Sequence, residues 1–239
     1  MTPFVVVSHG RSGSTVLVRA IDQHPLVRCY AEVFNAAVSG RVLADTRKYV
    51  DGEDPATFCR DEIYVDERDV SAIGFKLHVN QMKKSELERR IWAFLQSKLD
   101  LHIILLNREN LFDCYVSDLR ARQSGHWRRL PGEPTPESYL SPLTIDIRHC
   151  HTYLSNRAKW IKLARDRFSK HPNLEIAYNG LVSDFQATLD RVFAFLHVEP
   201  YPVNAPLGRM NCVAHGDGIT NFFELKVHFR DTEFGRFFD

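Results

Sequence analysis

Glycines, hydroxyl side chains and one arginine follow the first apolar run of the chain. The segment SHGRSGST, residues 8–15, comes directly after Phe4–Val7, and a helical pattern begins within it. The free amides and the dipole at a helix N-terminus favour a bound anion. Glycines let the backbone approach that anion, while hydroxyls and a guanidinium donate hydrogen bonds to it. The segment therefore predicts a phosphate-binding loop, with ligand groups on Arg11, Ser12, Gly13, Ser14 and Thr15.

This loop differs from the Walker A loop of nucleoside triphosphatases. That motif requires a lysine directly after its last glycine, and here Ser14 follows Gly13. The difference argues against metal-bound ATP or GTP as the ligand. The alternative without a ligand is a plain strand–turn–helix connection that is rich in small residues.

Short apolar runs alternate with longer amphipathic segments along the chain. We predict strands at Phe4–Ser8, Val27–Tyr30, Ala72–Leu77, His102–Leu106 and Leu174–Tyr178. We predict helices at Gly13–Gln23, Lys83–Lys98, Asn110–Gln123, Ile147–Lys170 and Leu181–His197. This alternation is typical of an α/β fold, in which a mainly parallel central sheet is covered by helices on both faces. In such sheets ligands bind beyond the carboxyl ends of the strands, where the predicted loop lies.

Length, composition and charge restrict the class of protein. The chain has 239 residues, of which 44% are hydrophobic and 26% charged, with a formal net charge of +1. These values predict one folded domain over 1–239 and argue against disorder and against nucleic acid as a partner. No apolar run reaches membrane-spanning length. The five cysteines, an odd number, and an opening strand that leaves no room for a signal peptide favour a cytoplasmic protein with free thiols.

Two segments resemble sulfotransferases that use 3′-phosphoadenylyl sulfate (PAPS). GRSGST resembles the loop that holds the 5′-phosphosulfate in that family, in an arginine variant similar to the bacterial carbohydrate-type branch. LLNRENLFDCYVSDLRARQSGHW resembles the segment in which an arginine and a serine bind the 3′-phosphate, and this assigns those roles to Arg108 and Ser117. Helical spacing agrees, because Ser117 lies two turns beyond Asn110. The resemblance implies a P-loop NTPase-like three-layer fold, PAPS as donor, 3′,5′-adenosine bisphosphate as product and no metal.

Two weaker matches extend the resemblance. IAYNGL is similar to a family segment whose tyrosine lies near the adenine, which assigns that role to Tyr178. The last 21 residues, ITNFFELKVHFRDTEFGRFFD, look like the carboxyl terminus of the nodulation-type and trehalose-type branch. The cytosolic branch has a tryptophan after the loop that stacks on adenine, and here that residue is Val16. The way in which the adenine is held is therefore left open.

Sulfuryl transfer to a hydroxyl requires a general base for the acceptor proton. Glu32 directly follows the second predicted strand, and relatives that sulfate carbohydrates use a glutamate in this region. His78 ends the third predicted strand, and Lys76-x-His78 resembles the lysine and catalytic histidine of the cytosolic branch. We assign the base to Glu32, with His78 as an acceptor contact or alternative base, and charge stabilisation to Arg11.

The resemblance implies a sulfotransferase whose acceptor is a hydroxyl compound, a carbohydrate or a glycoconjugate. Two other functions stay open: a nucleotide kinase or NTPase with a degenerate loop, and a nucleotide-binding interaction protein without catalysis. Acceptor specificity is expected in two segments that are predicted as loops, Asp45–Asp69 and Gly125–Thr144. A basic and aromatic patch beside the second motif is a further candidate for binding nucleotide or acceptor; it comprises Arg120, Arg122, Trp127, Arg128 and Arg129. The acceptor and the oligomeric state do not follow from the sequence.

Overall fold

A computed structural model describes residues 1–34, 53–65, 69–79, 86–208 and 215–239. The chain divides into two compact units, which are described separately. The first consists of Met1–Asn107 and Trp160–Asn204, and the second of Arg108–Lys159 and Ala205–Asp239. The expectation of a single domain over 1–239 stays a prediction.

The first unit contains a five-stranded, all-parallel sheet. Its strands are β1 (Thr2–Ser8), β2 (Val27–Tyr30), β3 (Ala72–His78), β4 (His102–Asn107) and β5 (Asn173–Ala177). Their spatial order is β2-β3-β1-β4-β5, with β1 in the centre. Each predicted strand is confirmed to within two residues at either end. The α/β fold with a parallel sheet, predicted from the alternation of elements, is confirmed as well.

Alternate residues of the central strand pack on opposite faces of this sheet. Val5 and Val7 belong to one hydrophobic cluster, whereas Phe4 and Val6 belong to another. Helices cover both faces: α3 (Glu86–Ser97) packs in the first cluster, and α1 (Ser14–Ile21) in the second together with α8 (Phe185–Phe195). A strand that is buried on both faces reads as a continuous apolar run, as β1 does.

Two predicted elements differ from the observed ones for local reasons. The helix predicted at Leu181–His197 is interrupted, because Asp184 has a non-helical backbone and its side chain caps α8. The residues before Asp184 form α7 (Tyr178–Ser183), so Tyr178 begins a helix rather than ending a strand. The predicted loop Asp45–Asp69 contains α2 (Pro55–Phe58) and a π-helical turn at Cys59–Ile63, while 45–52 and 66–68 lie outside the described residues. The short helix α2 starts at a proline and is capped by Asp54, an arrangement typical of helix N-termini.

The second unit is helical. It contains α4 (Leu111–Ser124), α5 (Glu137–Leu140), the first part of α6 (Ile147–Arg167), α9 (His215–Gly218), α10 (Phe222–Phe229) and a 3₁₀ turn at Gly235–Phe237. Helix α5 lies within the segment that the sequence predicted as a loop, Gly125–Thr144. Aromatic rings form the core of this unit: Phe238 lies 4.4 Å from Phe112 and stacks on Phe229 at 4.8 Å between centroids. Among the described residues, no helix is long and apolar enough to cross a membrane.

Candidate active site

The predicted phosphate loop connects the central strand to α1. It begins after Ser8 and ends at Gly13, which caps the helix in the left-handed region at φ 88°. Arg11 also has a positive φ, 68°, which is uncommon for a residue with a side chain and marks a tightly wound loop. The Ser12 hydroxyl is buried and donates a hydrogen bond to the carbonyl of His9 at 2.6 Å. This bond closes the loop on itself.

Gly13 is in close contact with Tyr178. A Cβ placed on Gly13 would lie 2.8 Å from Cδ2 and 2.9 Å from Cε2 of the tyrosine ring. These distances are too short for any real side chain. Position 13 therefore requires glycine for two reasons: its backbone lies in the left-handed region, and the Tyr178 ring leaves no room for a side chain. The tyrosine that was predicted near the adenine also packs on the phosphate loop.

The start of α1 presents backbone donors in this loop. The Val16 N–H donates to the Gly13 carbonyl at 2.9 Å and the Leu17 N–H to the same oxygen at 3.1 Å. The amides of Ser14 and Thr15, the first two helical residues, precede this pattern and have no carbonyl of an earlier turn to bind. The strand–loop–helix geometry that the sequence predicted is thus present. Its binding of a phosphate stays a prediction.

The two candidate bases lie close together, and a buried lysine pairs with one of them. The Lys76 ammonium lies 2.8 Å from Oε1 of Glu32, and Nδ1 of His78 lies 3.7 Å from the same oxygen. Lys76 is 3% exposed and Glu32 8%, so the ion pair is shielded from water. Lys76 and His78 share one face of β3 because strand residues two apart point to the same side. The sequence analysis did not assign Lys76 to the site, although the Lys76-x-His78 spacing could have indicated it.

Hydroxyls of the phosphate loop join this ion pair. The Ser14 hydroxyl lies 3.1 Å from Nε2 of His78, and the Lys76 ammonium donates to the Thr15 hydroxyl at 3.3 Å. A network of five side chains therefore links the first turn of α1 to Glu32. We name it the loop network; its members are Ser14, Thr15, Glu32, Lys76 and His78. All five belong to the first unit.

The residues predicted to bind the 3′-phosphate lie in the second unit. The Arg108 guanidinium donates to Oδ2 of Asp113 at 3.0 Å. Arg108 lies just before α4, and Asp113 lies in the first turn of that helix. The Ser117 hydroxyl, two turns into α4, lies 3.4 Å from the hydroxyl of Tyr139. Asn110 caps this helix through the amides of Phe112 and Asp113, as its predicted place at the helix start requires. Phosphate binding by Arg108 and Ser117 stays a prediction.

The basic and aromatic patch beside α4 is smaller than the sequence suggested. Arg120 is buried and donates to the carbonyls of Tyr139, Ser141 and Gly218, so it does not belong to a surface. Arg122 is exposed but pairs with Asp118 at 2.8 Å. Trp127 stays half exposed. The inclusion of Arg120 in the patch was wrong, because helical spacing directs its side chain inward toward these carbonyls.

His149, Cys150 and His151 are adjacent in the chain and carry side chains that can bind metals. No group of three or more His, Cys, Asp or Glu side chains that could hold a metal ion occurs in the described residues. Within the run His149–His151, the His149 ring bonds to the Tyr115 hydroxyl at 2.7 Å, whereas the His151 ring stacks on Phe229. Burial raises the pKa of the Cys150 thiol to about 12. The two histidines thus have separate partners, and the cysteine is buried.

The chain is similar over nearly its full length to proteins from two rhizobia. The chain is 24% identical over 254 residues to Nodulation protein H of Rhizobium tropici, which covers 99% of this chain and 93% of the relative. It is 23% identical over 247 residues to Nodulation protein H of Rhizobium meliloti (strain 1021), covering 99% and 95%. No family model matches the chain.

Solved structures share the fold. A sulfotransferase from Alicyclobacillus acidocaldarius superposes with a TM-score of 0.53 at 15% identity, covering 95% of this chain and 90% of that one. Mouse sulfotransferase SULT7A1, complexed with PAP, superposes with a TM-score of 0.51 at 14% identity, covering 99% and 86%. These likenesses confirm the three-layer, P-loop-like fold predicted from the sequence. The chain is thus similar over nearly its full length to Nodulation protein H and has the fold of sulfotransferases.

Proposed function

We propose that the enzyme transfers the sulfuryl group of PAPS to a hydroxyl of a carbohydrate or glycoconjugate. The observation that carries this proposal is the loop network. It joins a buried carboxylate and a histidine, the two candidate bases, to the hydroxyls of a loop suited to an anionic donor. Sulfuryl transfer to an alcohol requires a base for the acceptor proton and donors that stabilise the anionic donor. The loop network contains candidates for both.

We assign the parts of the donor to different groups of residues. The 5′-phosphosulfate is assigned to the loop, with its helix-start amides and with Arg11, Ser12, Gly13, Ser14 and Thr15. The 3′-phosphate is assigned to Arg108 and Ser117, and the adenine to the neighbourhood of Tyr178. PAP in the mouse SULT7A1 structure supports a donor of this type. The donor set, made of amides, hydroxyls and guanidinium groups, has the chemistry of an anion site.

In the proposed reaction the acceptor oxygen attacks sulfur in line with the leaving phosphate. The sulfur–oxygen bond to the phosphate breaks, its electron pair leaves with 3′,5′-adenosine bisphosphate, and the acceptor proton passes to the Glu32 carboxylate. Arg11 and the loop amides oppose the negative charge that builds up on the transferred and leaving groups. The Lys76 ammonium lies 2.8 Å from Oε1 of this carboxylate and holds it in position. His78 contacts the acceptor, or takes the proton in the alternative assignment.

The cytoplasm is the proposed location, with a small-molecule or glycoconjugate acceptor and without a nucleic-acid partner. Its support is the state of the cysteines: Cys29, Cys59, Cys114 and Cys150 are free and buried. Free thiols are typical of a reducing compartment. Cys212, the fifth, lies outside the described residues.

The donor assignment can be tested with nucleotides alone. The bisphosphate at about a hundred times its dissociation constant should stabilise the fold by about 2.7 kcal/mol, without added metal. Melting temperatures would be compared with the bisphosphate and with magnesium ATP. Stabilisation by magnesium ATP alone would overturn the donor assignment. A screen of hydroxyl compounds with radiolabelled PAPS would then identify the acceptor.

The base assignment can be tested with Glu32→Gln, which keeps the shape of the side chain and loses the proton acceptor. Turnover should fall by roughly two to four orders of magnitude while bisphosphate affinity changes little. Glu86→Gln is the matched control, because Glu86 is an exposed glutamate in the same unit, paired with Arg89. An active Glu32→Gln variant alongside an inactive His78→Asn variant would move the assignment to His78.

A further inference from the structure

Arg108 and Asp113 form an ion pair that is largely withdrawn from water. The Arg108 side chain is 10% exposed and that of Asp113 30%, and Nη2 lies 3.0 Å from Oδ2. A pair this sheltered is screened less than an exposed one. The guanidinium that is assigned to the 3′-phosphate therefore already has an anionic partner within its own chain.

The position of Asp113 gives its carboxylate a second source of stabilisation. It lies in the first turn of α4, where the positive end of the helix dipole favours a negative charge. The Asn110 side chain accepts from the Asp113 amide at 3.1 Å and holds this turn in place. Because of its position, Asp113 can give up Arg108 without becoming an uncompensated buried charge.

We propose that Asp113 is a specificity-determining residue that competes with the 3′-phosphate of the nucleotide for Arg108. The inference rests on the proposed function, in which Arg108 holds that phosphate. A phosphate that carries nearly two negative charges displaces a carboxylate that carries one. A nucleotide with a 3′-hydroxyl leaves the ion pair closed. Asp113 thus limits the affinity for the bisphosphate and leaves that for adenosine 5′-monophosphate unchanged.

The test is Asp113→Asn, which keeps the size of the side chain and removes its charge. Calorimetric titration should show 3′,5′-adenosine bisphosphate binding about three- to thirtyfold more tightly, because the phosphate no longer displaces a carboxylate. The dissociation constant of adenosine 5′-monophosphate should stay as in the wild type. Asp118→Asn is the matched control on the same helix: its carboxylate pairs with the exposed Arg122, and its removal should change neither constant.

Two results would overturn the proposal. Weaker bisphosphate binding by Asp113→Asn would make Asp113 a brace that positions Arg108, and an unchanged constant would uncouple the pair from the site. If Asp113→Asn does not fold, Asp113→Ala replaces it, because alanine has the highest helix propensity.

Failure of the proposed function gives a different pattern. If the wild type binds the bisphosphate and the monophosphate equally, Arg108 does not bind the 3′-phosphate. The proposed competition by Asp113 then fails as well. A wild type that prefers the bisphosphate, with a preference that Arg108→Ala abolishes and Asp113→Asn leaves unchanged, would refute the competition alone.

Discussion

Gly13→Ala tests whether the shape of the phosphate loop depends on one residue without a side chain. At φ 88° an alanine is strained by about 1–2 kcal/mol. Its Cβ would also lie 2.8 Å from the Tyr178 ring, and such overpacking costs about 1–3 kcal/mol. Alanine restricts the unfolded chain and regains about 0.4–1 kcal/mol. We therefore expect Gly13→Ala to lower the free energy of unfolding by about 1–5 kcal/mol and to weaken bisphosphate binding.

Urea unfolding and calorimetric titration would measure both effects. Gly10→Ala is the control, because a Cβ on Gly10 of the same loop meets nothing within 4 Å; it should change stability by no more than about 0.5 kcal/mol. In a Tyr178→Ala background the overpacking is absent, so Gly13→Ala should cost less there. A Gly13→Ala variant as stable as Gly10→Ala would refute the reasoning, as would equal costs in the two backgrounds.

Two further predictions concern buried charges. Lys76→Met should lower the free energy of unfolding by about 3–5 kcal/mol because it leaves the Glu32 carboxylate buried without its ammonium partner. The double variant Lys76→Met/Glu32→Gln should regain most of that loss in urea unfolding yet stay inactive; a double variant no more stable than Lys76→Met would contradict the pairing. Burial raises the pKa of Asp22, although the Cys29 amide and Arg28 oppose the shift. Because the pKa of Asp22 is higher in the folded state, the wild type loses stability as the pH rises through that pKa. Asp22→Asn carries no such charge, so it should be at least as stable as the wild type at pH 7. At acid pH, where Asp22 is protonated, the difference in stability should vanish. A constant difference between Asp22→Asn and the wild type across a pH series of unfolding curves would argue against this.

Local patterns in the sequence were sufficient to predict the fold class and most of the elements. Strands that are buried on both faces read as apolar runs, and amphipathic segments follow them, so the parallel α/β architecture was visible before any contact was known. The strand–loop–helix connection at 8–15 could be predicted for the same reason, because its residues are neighbours in the chain; its binding of a phosphate stays a prediction. The interruption at Asp184 was missed, although aspartate is a common N-cap residue, because Leu181, Phe185 and Leu189 keep helical spacing across it.

Contacts between distant segments were decided by the tertiary structure alone. The sequence named Glu32 and His78 as rival bases, but it did not show that Lys76 links Glu32 to Thr15 while His78 contacts Ser14. That arrangement depends on strand order: β3 lies between β2 and β1, so its end meets both Glu32 after β2 and the first turn of α1 after β1. Local patterns in a sequence do not specify which strands are neighbours. The contact of Tyr178 with Gly13 has the same origin, because the two residues are remote in the chain and only the folded sheet brings the ends of their strands to one edge.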